Sequence, residues 1–384
     1  MNMFTERLAS WLARPSGKRG INQPEGLSAI VSTDIGLVRN ENQDLIAAIR
    51  VNTPSNVGKP FFAMALLDGM GGMQDGKQCA TIALSTFFYS LIKYRGEKLE
   101  PRITKATMEA NQAVYGYAKG HGGSTLSAII IEDEASPVIV NVGDSRIYSF
   151  SENEGLNAIS NDDSLEALGG RGRGLLQFIG MGESIKPHVN TLNTNNDKII
   201  LTSDGVHFIN HNAFEEILLN TCDSYTLSKR VSEYVRWCGA KDNASLGIVN
   251  VNDIKVNLND HKDIGVELWD PHGNLHIMWM KNYPAAQNYF SQNIVDEQEK
   301  LTENSAIEKE IHSTKTDENP TPLNYKKNQG ELFSSQGSDE TNISTPKKCI
   351  RRKKPREKKK TIVKNNEDQS VMINITDEKN KNGD

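Results

Sequence analysis

The sequence is poor in the residues that build covalent or soft-metal frameworks. Its 384 residues hold four cysteines, Cys79, Cys222, Cys238 and Cys349. They are scattered, with no CxxC pair and no histidine cluster beside them, which argues against a zinc site or a disulfide framework and for a reducing, cytoplasmic setting. No apolar run approaches the roughly 18 residues needed to span a bilayer. A secretory signal is missing too, because Glu6, Arg7 and Arg14 interrupt any apolar core at the start. Ser124, Ser145 and Ser203 lie in small-residue turns without a paired histidine motif, so a serine nucleophile is not indicated. Beyond Ser291 the only aromatics are Tyr325 and Phe333. Residues 291–384 therefore bury too little apolar surface to offset the entropy of ordering, and a largely disordered polar tail is expected.

Charge is unevenly placed. The formal net charge is −5, yet residues 347–360 carry ten Lys or Arg against Glu357 alone. The remainder of the chain is strongly acidic, a balance that suits metal cations or basic partners better than nucleic acid. The basic run itself reads either as a solvated charge run or as a tether to nucleic acid, acidic lipid or an acidic protein. Without interleaved aromatics, any nucleic-acid contact would be mainly with phosphates and sensitive to salt.

What the chain does contain is a recurring unit. Residues 61–67, Phe61-Phe62-Ala63-Met64-Ala65-Leu66-Leu67, form an apolar run that reads as a buried strand. It ends on Asp68, followed by Gly69-Met70-Gly71-Gly72, a turn whose glycines let the backbone approach a ligand closely. A helical pattern follows, with Cys79, Ala83, Leu84, Phe87, Phe88 and Leu91 on one face. In isolation Asp68 is as good a turn former as a ligand. The unit recurs, however: apolar strands meet an aspartate at one end at Asp68, Asp144, Asp204 and Asp242. Four like charges drawn together repel unless a cation intervenes, and all-oxygen ligation favours Mg²⁺ or Mn²⁺ over Zn²⁺. The alternative is four independent turns.

Residues 27–252 alternate strand-like and helix-like segments as one domain. Strands are expected over 29–33, 45–51, 126–131, 138–142, 147–150, 198–202 and 246–251, and helices over 101–119 and 224–238. Before this domain lies a lead, 1–26, in which Phe4, Leu8, Trp11 and Leu12 share one helical face. A short amphipathic helix docked on the body, or a disordered lead, fits it better than an organelle presequence. After the domain comes an extension, 253–290, whose residues 265–280 alternate at period two around Asp270-Pro271-His272-Gly273-Asn274. That hairpin either closes onto the domain's sheet or forms a small appendage.

Taken in order, the motifs are Asp34-Ile35-Gly36 with Arg39 and Asn42-Gln43-Asp44, then Asp68-Gly69-Met70-Gly71-Gly72, Gly123-Ser124-Thr125, Gly143-Asp144-Ser145-Arg146, Ser203-Asp204-Gly205-Val206 and Asp242-Asn243. Together they resemble the metal-dependent protein phosphatases, the protein phosphatase 2C family, and its bacterial branch most closely. The resemblance implies an α+β fold, a four-layer α-β-β-α sandwich of two antiparallel sheets with the metal centre at one end. It implies a serine/threonine phosphatase that hydrolyses phosphoserine and phosphothreonine through a metal-bridging water and opposes a partner kinase. By similarity Asp68 bridges two Mn²⁺ or Mg²⁺ ions, the Gly69 carbonyl ligates one, and Asp204 and Asp242 hold the other. Asp144, with Asp204, offers a weaker third site, Gln43 and Asp44 support the metals from behind, and Arg39 clamps the phosphate.

Several positions depart from the family pattern. Gln43 stands where many members carry glutamate, and Met70 replaces a histidine. A thioether cannot donate a proton, so the leaving group's proton must come from elsewhere. Asp162-Asp163-Ser164-Leu165 lacks the family's histidine, and Gln177-Phe178-Ile179-Gly180 lacks an arginine usual nearby. The loop Gly169-Gly170-Arg171-Gly172-Arg173-Gly174 is a short stand-in for a longer flap, either engaging phosphopeptide or simply mobile. The rival to an enzyme is a catalytically weak or silent phosphoprotein-binding module of the same fold.

Overall fold

A computed structural model describes residues 3–53, 58–70, 75–167, 169–170, 174–193, 198–258 and 265–278. In chain order the elements begin with α1 (Met3–Leu12), β1 (Arg19–Asn22), β2 (Ala29–Asp34), β3 (Asp44–Asn52) and β4 (Phe61–Asp68). Two long helices follow, α2 (Gly76–Lys93) and α3 (Leu99–Ala118), then β5 (Leu126–Glu132), β6 (Val138–Val142), β7 (Arg146–Ser151), β8 (Gly155–Ala158), β9 (His188–Thr191) and β10 (Lys198–Thr202). The rest comprises α4 (Asp204–His207), α5 (His211–Leu219), α6 (Ser224–Trp237), β11 (Ala244–Asn250), α7 (Val251–Asn257), β12 (Gly265–Asp270) and β13 (Gly273–Met278).

The strands form two sheets, β1-β2-β11-β10-β7-β8 and β13-β12-β3-β4-β5-β6-β9, and every neighbouring pair is antiparallel. Three apolar layers hold them. Between the sheets lie Ile46, Phe62, Met64 and Ile129 of the second sheet with Val31, Ile147, Leu201 and Val249 of the first. The outer face of the second sheet packs under α1, α2 and α3, and the outer face of the first under α5 and α6. The result is the expected α-β-β-α sandwich. Because β3, β4 and β5 are covered on both faces, their sequences lose polar alternation and read as unbroken apolar runs.

The predicted face of α2 is fully buried at Cys79, Ala83, Leu84, Phe87, Phe88 and Leu91. Burial extends to Ala80, Ile82 and Ile92, since α1 and α3 cover what the sheet leaves open. The lead forms α1, with Leu8 and Leu12 buried and Phe4 and Trp11 packed beside them. Arg14, just past its end, forks onto Asp270 with contacts of 2.7 and 2.8 Å. Of the two readings of the hairpin, the structure takes the first: β12 pairs with β3 over Gly265 to Trp269 and extends the second sheet. Cys79 and Cys238 are free. Among the described residues no helix is long and apolar enough to cross a membrane. The polar tail 291–384, its basic run, Gly71, Gly72, Trp279 and residues 171–173 of the glycine-arginine loop lie outside the described residues.

Candidate active site

The antiparallel registers decide which ends of the strands meet. In the second sheet Asp44, opening β3, pairs with Asp68, closing β4. In the first, Thr202 at the end of β10 faces Arg146 at the start of β7 and Leu246 near the start of β11. The turns bearing Asp144, Asp204 and Asp242 therefore gather at one end of that sheet, and Ser203 joins the sheets there. Its Oγ donates to Asp44 Oδ2 at 2.7 Å and accepts the Ser245 N–H at 2.9 Å.

Two glycines make the approach possible. A Cβ on Gly69 would lie 2.5 Å from the Gly76 carbonyl oxygen and 2.8 Å from that of Gln43. The glycine is thus required by the start of α2 and the end of the Arg39 loop, a protein neighbour rather than a ligand. On Gly205 a Cβ would fall 1.8 Å from the Asn243 carbonyl oxygen, so only glycine lets the Asp204 and Asp242 turns touch.

The acids share one electrostatic neighbourhood. Burial, followed by the charges of Asp44, Asp204, Asp144 and Asp242, raises the Asp68 carboxyl well above its usual range. Asp44 is pushed up to about 7, chiefly by burial, against hydrogen bonds from Ser203 and Ser245. Asp144 rises to about 6, again by burial first and then by Asp204. Arg39 stands in the same field: its hydrogen bond to Asp242, then the charges of Asp242, Asp204 and Asp68, raise its proton affinity against a cost of burial. Its Nη2 lies 2.7 Å from Asp242 Oδ2.

The donor set fits a hard divalent cation in type and charge. Clustered carboxylates hold protons or meet a metal, and Asp44 Oδ1 is buried without a hydrogen-bond partner. Among the described residues, however, no three such side chains close on a single point. Asp242 has both oxygens engaged within the protein: Arg39 takes Oδ2, and the Asn243 N–H takes Oδ1 at 2.9 Å. Beside the acids a cleft of about 420 Å³ opens, lined by Asp144, Asp204 and Asp242 together with Arg146, Phe208 and Lys241.

Solved structures share this architecture. The serine/threonine phosphatase Stp1 from Staphylococcus aureus is 20% identical, with a TM-score of 0.51 over 62% of this chain and 99% of Stp1. A bacterial serine phosphatase is likewise 20% identical, with a TM-score of 0.51 over 59% of this chain and 98% of the other. The chain has the fold of the PPM-type protein phosphatases. No family model matches the sequence, and no curated protein does.

Within this phosphatase fold the structure brings together Arg39, Asp44, Asp68, Asp144, Asp204 and Asp242. Gly69 sits at the same end, bridged to Ser124. The Gln43 side chain lies apart, reaching Glu41 at 3.4 Å, while its backbone N–H donates to Asn243 Oδ1 at 2.9 Å. Asp34 also stays outside the cluster, paired with Arg19 and Arg236. Sequence reasoning missed a web of buried hydroxyls. Thr125 Oγ1 accepts the Asp68 N–H at 2.9 Å and meets Ser145 Oγ at 2.7 Å, tying the Asp68 strand to the Asp144 turn. The signal was present in Gly123-Ser124-Thr125 and Gly143-Asp144-Ser145-Arg146, whose small polar residues were read only as turn formers.

Proposed function

We propose that this chain is a Mn²⁺- or Mg²⁺-dependent protein phosphatase acting on phosphoserine and phosphothreonine and opposing a partner kinase in the cytoplasm. The observation that carries the reading is the convergence of Asp44, Asp68, Asp144, Asp204 and Asp242 from both sheets, with Arg39 on Asp242, in a phosphatase fold. Asp68, the Gly69 carbonyl, Asp204 and Asp242 would hold two ions, and Asp144 a weaker third. Bound there, the metal supplies Lewis acidity that lowers the pKa of water and offsets phosphoryl charge. Arg39 offers a planar fork of N–H donors matched to phosphoryl oxygens, which steadies charge as the transition state forms. Asp44 backs the cluster through Ser203.

The proton for the leaving group does not come from the 70 position, where Met70 has none to give. Nor does His207 in the cleft supply it, since burial, followed by the Arg146 charge, depresses its pKa to about 3 and leaves it neutral. The source is then solvent or another group of the cleft. The basic run 347–360 would act as an electrostatic tether to acidic lipid, nucleic acid or protein, apart from catalysis.

Phosphopeptide and aryl phosphate hydrolysis with Mn²⁺ tests the reading. Asp68→Asn and Asp204→Asn should each lower kcat about 100-fold or more, as loss of a preorganised charge does. Equal turnover in wild type and both variants would overturn it. Tight phosphopeptide binding with no turnover at any metal concentration would instead mark a binding module.

A further inference from the structure

The turn between β6 and β7, which carries Asp144, is held by a residue far along the chain. Asp163 Oδ2 accepts the Gly143 N–H at 2.9 Å, and the Asp163 N–H donates to the Gly143 carbonyl at 2.9 Å. That two-point grip fixes the peptide before Asp144, at a glycine with φ of +101°. The other carboxylate oxygen, Asp163 Oδ1, accepts from His188 Nε2 at 2.8 Å, which places the ring proton on Nε2. His188 opens β9, the edge strand of the second sheet, and is the cross-strand partner of Asn141. Asn141 in turn donates to the carbonyls of Gly143 at 3.2 Å and Asn161 at 3.0 Å. Asn141 thus holds the turn directly, and its cross-strand neighbour His188 holds it through Asp163.

Asp163 is 8% exposed, so both its oxygens need donors within the protein. Without His188, Oδ1 is left unsatisfied, and the carboxylate satisfies it by turning toward water and releasing the Gly143 N–H. We propose that His188 is a positioning residue for the cation site at Asp144, acting through Asp163 and the Gly143 turn. The proposal rests on the phosphatase reading above. Partners one step behind a metal ligand orient it, and their loss typically weakens metal affinity about 10- to 100-fold.

Calorimetric titration of the full chain with Mn²⁺, paired with metal-free thermal melts, tests it. Wild type should take up Mn²⁺ in tight and weak steps. His188→Ala should weaken the weak step about 10- to 100-fold and leave the tight steps in place, with a modest fall in metal-free Tm from the buried group left unpaired. His188→Gln, which still offers an N–H near the Nε2 position, should restore much of that affinity. An unchanged weak step in His188→Ala would overturn the proposal, and so would parallel weakening of every step, the mark of a merely structural strut. No Mn²⁺ uptake by wild type would overturn the phosphatase reading itself, and this inference with it.

Discussion

A carboxylate buried among other carboxylates can hold a proton or meet a cation, and the two compete. Asp44 and Asp144 have folded pKa values raised to about 7 and about 6 from an ordinary value near 3.8. Between those values the folded chain binds protons that the unfolded chain has released. Metal-free stability should therefore fall as pH rises from about 4 to 7, and a cation that replaces the protons should reverse the loss. Mn²⁺ should raise Tm by more at pH 8 than at pH 5, each unit of displaced proton affinity corresponding to about 1.4 kcal/mol. Thermal melts at the two pH values check this; an equal rise at both would count against the cluster as the metal's seat. Asp68, Asp144, Asp204, Asp242 and Arg39 were legible as candidates because each sits in a short local motif. The Ser203 bond to Asp44 and the His188 bond to Asp163 were not, because they join residues 159 and 25 positions apart.

The loop between β2 and β3 presents Arg39, and one side chain beyond α6 ties that loop at three points. Asn243 accepts the Gln43 N–H on Oδ1 at 2.9 Å and donates through Nδ2 to the carbonyls of Ile35 at 2.9 Å and Glu41 at 3.0 Å. Asn243→Ala removes all three bonds, leaves the buried Ile35 carbonyl unpaired and should cost about 1–3 kcal/mol of stability in urea unfolding. It should also lower kcat/KM on phosphopeptide about tenfold or more, because Arg39 is no longer held in place. Stability lost with kcat/KM intact would separate the loop from catalysis. Elements with strong apolar periodicity, such as β4, β5 and α2, were readable because their burial demands it. Edge strands β1 and β9 were not, since polar residues such as Arg19, Asn22, His188 and Asn190 leave no apolar period to detect. The short helices α4, α5 and α7 were missed as well. For α5 a local signal existed in Asn210, whose side chain caps the helix by accepting the Ala213 N–H.

At the scale of the molecule, α1 and the β12–β13 hairpin brace the second sheet. Leu8 and Leu12 are buried against the body, and Arg14 locks the end of the lead to Asp270. Burial of two leucines is worth roughly 3–6 kcal/mol. Deleting residues 1–15 should accordingly lower Tm by on the order of 10 °C. An unchanged Tm would show that the lead is dispensable to the sandwich.

The amino-acid sequence by itself determined the buried strands, the amphipathic face of α2 and the ordered acid motifs. These follow from local rules, a period of burial or a charge beside a glycine. Tertiary structure decided which acids share a field, that Gln43 turns its side chain to Glu41, that the hairpin extends a sheet, and that His188 reaches the Asp144 turn. Each of those depends on strand register and sheet stacking, which bring distant residues within hydrogen-bond range and leave no mark in any short stretch of chain.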